Sequence, residues 1–219
     1  MWSIFFSDPP IPTALYPLNG KFGTHDLSSS KNSAGIASDV QLAPGPYGEP
    51  DGSYQFSGNS SSYIEFPNNG GLDTRKSLTL LAWVYPENGD GPIWNYYKGS
   101  SWAVHFWITI DKLFARIVSR DGVSQPAFTS KTWSRNKWYF VGTSYDYDSG
   151  VHKLWIDGKV YDRQDIGSME IDTMGTARMG VKSGDNRFFK GRICCMQVYN
   201  KSLTENEVHA AKGICRKKG

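Results

Sequence analysis

Trp133 to Val160, WSRNKWYFVGTSYDYDSGVHKLWIDGKV, decides the fold. Trp138, Phe140, Gly142 and Ser144 alternate with Tyr139, Val141, Thr143 and Tyr145. A period of two, rich in aromatic and β-branched residues, marks a strand. Asp146 to Gly150 then supplies turn chemistry before a second run from Val151 to Ile156. Asp157-Gly158 follows at once. That pair favours a two-residue hairpin turn, because both central residues need positive φ. The segment therefore predicts three consecutive antiparallel strands.

The rest of the chain extends this pattern. Its 23 Gly and 11 Pro are dispersed through the 219 residues, and 39% of residues are hydrophobic. This predicts one domain of many short strands joined by many turns, with enough apolar surface for a single core. Leu78, Leu80, Ala82 and Val84 share one strand face while Leu81, Trp83 and Tyr85 share the other, as for a central strand covered on both sides. Ile93–Tyr97, Trp102–Thr109 and Leu113–Val118 continue as a meander, with a tight turn at Asp111-Lys112. Ala14-Leu15-Tyr16-Pro17-Leu18 reads as an edge strand, Asn19 to Ala37 as a polar loop, and Phe188 to Tyr199 as a long strand. One helix is expected, N-capped by Thr204 with Glu207 completing a capping box and Val208 and Ala211 facing inward. The fold class is all-β, a jelly-roll sandwich of two antiparallel sheets with one short C-terminal helix.

The net charge of +3 excludes little by itself. Without Arg216, Lys217 and Lys218, basic and acidic residues balance at 21 each, so the body lacks the excess that nucleic-acid binding requires. We expect no nucleic-acid partner and no membrane span. The domain is expected over 13–215, with an extension at 1–12, where Met1 to Phe6 is either a remnant or an edge strand, and a basic tail at 216–219. Of the three cysteines, Cys194 and Cys195 are adjacent, so a disulfide joins Cys215 to one or the other. Their spacing is wrong for tetrahedral zinc. Asn59-Ser60-Ser61 and Asn200-Lys201-Ser202 are acceptor motifs for N-glycosylation, consistent with an extracellular chain.

Read together, Tyr54-Gln55-Phe56-Ser57-Gly58, Ser62-Tyr63-Ile64-Glu65-Phe66, Leu78–Val84, Lys137–Val141, Leu154–Gly158 and Phe189–Ile193 ahead of Val198–Thr204 resemble the laminin-G-like (domain 3) and pentraxin branch of the concanavalin A-like superfamily. The resemblance implies an extracellular, non-catalytic recognition module in an adhesion, matrix or receptor context. It would bind glycans or proteins, within a larger multidomain protein. It also implies pairing of Cys195 with Cys215, and often a bound Ca²⁺. Here Cys194-Cys195 stand where relatives carry paired acids, which removes hard oxygen donors at that point. The superfamily includes glycoside hydrolases, and Glu170-Ile171-Asp172 looks like the start of their motif. Thr173-Met174-Gly175-Thr176 follows where another acid is needed, so we expect no enzyme.

A lectin stacks sugar rings on exposed aromatic faces. The candidates are Trp94, Tyr96, Tyr97 and Trp102 around Lys98-Gly99-Ser100, and Tyr145 and Tyr147 around Asp146 and Asp148. Core packing is the commoner use of such residues. Asp146, Asp148 and Asp185, with Asn186, are the candidate donors for Ca²⁺ at the rim, although the same types serve turns. His105, among Trp102, Phe106 and Trp107, reads as structural. A spacer or assembly domain without a small ligand is the rival reading.

Overall fold

The computed structural model describes residues 8–88, 90–99 and 101–216. Residues 1–7 of the expected extension and 217–219 of the basic tail lie outside them, as does Ser100.

Two antiparallel sheets face each other. The first runs β13 (Lys159–Asp165), β12 (Val151–Ile156), β11 (Tyr139–Tyr145), β6 (Leu78–Asn88), β15 (Lys190–Tyr199), β4 (Ser53–Ser57) and β3 (Val40–Ala43), and β1 (Ala14–Tyr16) also pairs with β15. The second runs β10 (Phe128–Thr129), β9 (Lys112–Arg116), β8 (Ser101–Thr109), β7 (Gly91–Lys98), β14 (Ala177–Met179), β5 (Tyr63–Phe66) and β2 (Ile36–Ser38). Tyr16, Phe66 and Trp94 meet between the sheets, with ring centres 4.5 and 4.9 Å apart.

The β11–β12–β13 hairpins form as expected, with Asp157 and Gly158 at φ 53° and 86°. β6 lies centrally between β11 and β15, which explains why both of its faces are apolar. α1 (Glu205–Ala211) carries the anticipated capping box, and Val208 and Ala211 are buried.

Two expectations are corrected. The meander turn is Ile110-Asp111, one residue early, with both at positive φ. A β-branched residue is strained there, and polar contacts hold it: Ile110 N–H donates to Asp90 at 2.6 Å and Arg135 grips the Asp111 carboxylate at 2.7 Å. The expected loop 19–37 contains the start of the edge strand β2, whose residues are mostly exposed and lack an apolar alternation. The edge strand β1 is entirely buried, because Asp26 and Leu27 hydrogen-bond along its free side.

Cys195 bonds to Cys215, and Cys194 remains a buried thiol. Cys195 sits at φ 52° where the β15–β6 register shifts, so this bulge aims its sulfur at the segment after α1. Desolvation pushes the Cys194 thiol pKa well up, keeping it protonated.

Candidate ligand-binding face

Alternation divides most of the second sheet, broken at the β7–β8 bulges. Ile64, Phe66, Trp94, Tyr96, Val104, Phe106, Leu113, Ala115, Ala177 and Met179 enter the core. Glu65, Asn95, Tyr97, His105, Trp107, Arg116 and Arg178, next to them in sequence, lie outside that core, while Ile93 and Ala103, beside the bulges, join it. Strand register places Glu65, Arg178, Asn95, His105 and Arg116 in one row across β5, β14, β7, β8 and β9. A bulge gives β8 one extra residue between its partners for Asn95 and Tyr97, so Trp102 comes to lie opposite Tyr97.

Rings and cations tile this face. Trp102 lies 4.9 Å from His105 and 5.5 Å from Trp107, and His105 stacks on Phe114 at 5.5 Å. The Arg178 guanidinium covers Tyr63 at 4.3 Å and Tyr97 at 5.1 Å, and is paired with Glu65. Lys182 and Arg187 reach in from the β14–β15 connection, 4.4 Å over Trp102 and 4.6 Å over Trp107 respectively. Cation–π contacts of this kind are worth about 0.5–2 kcal/mol depending on desolvation. Trp107 Nε1 donates to buried Asn95 at 3.1 Å. Burial first, and then Arg116, Arg187 and Lys182, drive the His105 pKa down to about 4, so its imidazole is neutral at pH 7.

The six aromatic candidates separate. Tyr97 and Trp102 stand half-buried on this face. Trp94 and Tyr96 are corrected to core residues with no exposed ring, Tyr96 donating to the Leu72 carbonyl at 2.9 Å. Tyr145 is likewise fully buried: its hydroxyl donates to Gly167 O and accepts from Met169 N–H, each at 2.8 Å. Tyr147 is half-buried at the end of the other sheet beneath Lys76, away from Trp102.

The three candidate metal ligands do not converge. Asp146 accepts from Ser149 N–H and Oγ within its own turn, Asp148 is exposed, and Asp185 is bound by Arg187. Arg187 also lowers the Asp185 pKa. Among the described residues no group of three or more His, Cys, Asp or Glu side chains is placed to hold a metal. Glu170 pairs with Arg75 at 2.8 Å. Asp172 is 1% exposed with Lys98 Nζ at 2.8 Å, an ion pair whose angles fall short of a hydrogen bond. Asn59 and Asn200 are both exposed.

Arg116, Tyr63, Lys182 and Arg187 were not legible as site residues. Strand alternation with Leu113 and Ala115 could have placed Arg116 outward, but the return of Lys182 and Arg187 onto the face depends on how their connection folds. A cleft of about 530 Å³ on the other sheet was also missed. Tyr47, 38% exposed, forms its wall with Trp83, Leu42 and Arg216, over Cys194 and the disulfide. Its sequence signal is a lone aromatic in the Pro44-Gly45-Pro46-Tyr47-Gly48 turn.

The Laminin_G_3 family model, described as concanavalin A-like lectin/glucanases superfamily, matches residues 57–209. The chain belongs to this superfamily. No curated protein matches it. Among solved structures, the laminin-G-like chain is similar to the binding domain of Paraclostridial Mosquitocidal Protein 1, with a TM-score of 0.73 at 16% identity over 91% of this chain and 52% of that one. It is also similar to the Botulinum Neurotoxin serotype G binding domain, with a TM-score of 0.73 at 15% identity over 94% and 51%. The Botulinum neurotoxin serotype D ligand binding domain in complex with N-acetylneuraminic acid gives 0.71 at 16% identity over 95% and 51%. This laminin-G-like domain thus spans about half the length of those chains. At such identities the likeness is one of fold.

Proposed function

We propose that the protein is a non-catalytic recognition module that binds carbohydrate or protein ligands through the outward face of its second sheet. The carrying observation is the placement of Trp102 and Tyr97 side by side, partly accessible, on a face whose remaining polar groups can take hydroxyls. Membership of a lectin-containing superfamily supports the reading, as does the sugar bound by one structural neighbour. The disulfide and the exposed Asn59 and Asn200 motifs support an extracellular location in an adhesion, matrix or receptor setting.

A glycan array with and without calcium tests it. Hits lost in Trp102→Ala and retained in Tyr147→Ala place the ligand on this face. Hits lost only on calcium removal would instead favour a metal-dependent site elsewhere. Silence across the array and against extracellular-matrix proteins would sink the recognition reading in favour of a spacer.

A further inference from the structure

We propose that the cationic end of this face receives the carboxylate or sulfate of an acidic saccharide whose ring stacks on Trp102, an inference that rests on the recognition reading above. Three cations converge around His105. Lys182 Nζ lies 4.4 Å from the Trp102 ring centre, and the Arg187 guanidinium lies 4.6 Å from that of Trp107 and 5.9 Å from that of Trp102. Arg116 lies 5.5 Å from the Phe114 ring, which itself stacks on His105. Only one of the three has a carboxylate: Asp185 holds Arg187 at 2.6 Å.

Among the described residues the other two have no ion-pair partner of their own. Lys182 is 4% exposed and donates to the Ser183 carbonyl at 3.1 Å. Among the described residues no carboxylate comes within ion-pair distance of Lys182 or Arg116, and the buried Nε of Arg116 has no hydrogen-bond partner. Desolvation lowers the Lys182 pKa, and the Asp185 carboxylate, already bound by Arg187, offsets this only in part. His105, neutral between them, adds no compensating charge. A buried cation without a partner is costly, and an oxyanion supplies both the charge and the acceptors that are missing.

The surroundings select a sugar. Three cations gathered around a few rings match one oxyanion, whereas a nucleic-acid backbone asks for a stripe of charge. The rings themselves offer the apolar patch on which the C–H face of a pyranose packs. Neutral hydroxyls would gain little from two ammonium- and guanidinium-type donors that stay without an ion-pair partner.

Isothermal titration with three probes tests the assignment: a neutral disaccharide, the same core carrying a carboxylated sugar, and the same core carrying a sulfate ester. At least one acidic probe binds about tenfold or more tighter than the neutral one, which corresponds to about 1.4 kcal/mol, and raised salt erodes the difference. Which acidic probe wins identifies the anion. Lys182→Met lowers the acidic-to-neutral affinity ratio about tenfold, and the half-exposed Arg116→Gln does the same should the lysine variant fail to fold. Lys159→Gln, on the exposed far edge of the other sheet, leaves the ratio unchanged. Equal binding of all three probes, or a ratio that survives both variants, overturns the acidic assignment alone. Displacement of the sugars by a poly-glutamate peptide at lower concentration also overturns it. Failure of every saccharide to bind overturns the acidic assignment together with the carbohydrate half of the recognition reading beneath it.

Discussion

His105 and His152 are both kept from water, and both hold pKa values far below the ordinary 6.5, at about 4 and about 3. His152 stacks flat on Phe128 at 4.7 Å and its Nε2 lies 2.7 Å from Thr143 Oγ1. Above pH 6.5 each ring is neutral folded or unfolded and the difference has no effect. As pH falls below 6.5 the unfolded chain takes up protons that the folded chain refuses, so stability declines until the folded pKa is reached. The loss is up to about 1.4 kcal/mol per pH unit for each histidine. Carboxylates held low, such as Asp26, add their own loss only under about pH 4. Urea midpoints should therefore drop between pH 6.5 and pH 5, with a shallower slope in His152→Phe. A midpoint that stays level across that interval would contradict the buried, neutral state of both rings. At this scale the sequence was least legible. Trp94 and Trp102 are chemically identical, and only the β8 bulge and the strand phase send one inward and the other out.

Among the elements, β11 shows how tightly strand packing constrains a single position. A methyl group added at Gly142 would strike Leu81 Cδ2 and come within 2.5 Å of the Leu80 carbonyl oxygen, which is backbone and cannot rotate away. Overpacking of this kind costs about 1–3 kcal/mol, and for a chain of this length each kcal/mol moves the melting temperature by roughly 2–4 °C. Gly142→Ala should melt several degrees lower than the wild-type chain. An unchanged melting temperature would mean that β6 and β11 do not approach as closely as described. The Gly142 strand was readable because aromatic and β-branched residues surround the glycine at a strict period of two. β2 and most of β13 were not, since edge strands with exposed faces need no apolar alternation and read as loops. The α1 boundary was legible to the residue, because a capping box is a purely local arrangement.

For the molecule as a whole, the question is whether two sheets fold as one body. β1 pairs with β15, Ala14 opposite Val198, so the beginning and end of the domain share a ladder. The segment after α1 is tied down by more than sulfur: Tyr47 Oη and Trp83 Nε1 both donate to the Lys212 carbonyl, at 3.0 and 3.2 Å, and Gln197 Nε2 donates to Ala211 O. The Cys195–Cys215 bond closes a loop with a sequence separation of 20, and opening it relaxes the unfolded chain by roughly 3 kcal/mol. Because Tyr16, Phe66 and Trp94 join both sheets in one core, that loss should be felt everywhere at once rather than only near the C-terminus. The double variant Cys195→Ser, Cys215→Ser should melt about 6–12 °C lower. Far-ultraviolet circular dichroism and tryptophan fluorescence should still report one coincident transition. Two separated transitions, or a fluorescence change that precedes loss of the strand signal, would show that the C-terminal segment detaches as its own unit and that the disulfide guards only that segment.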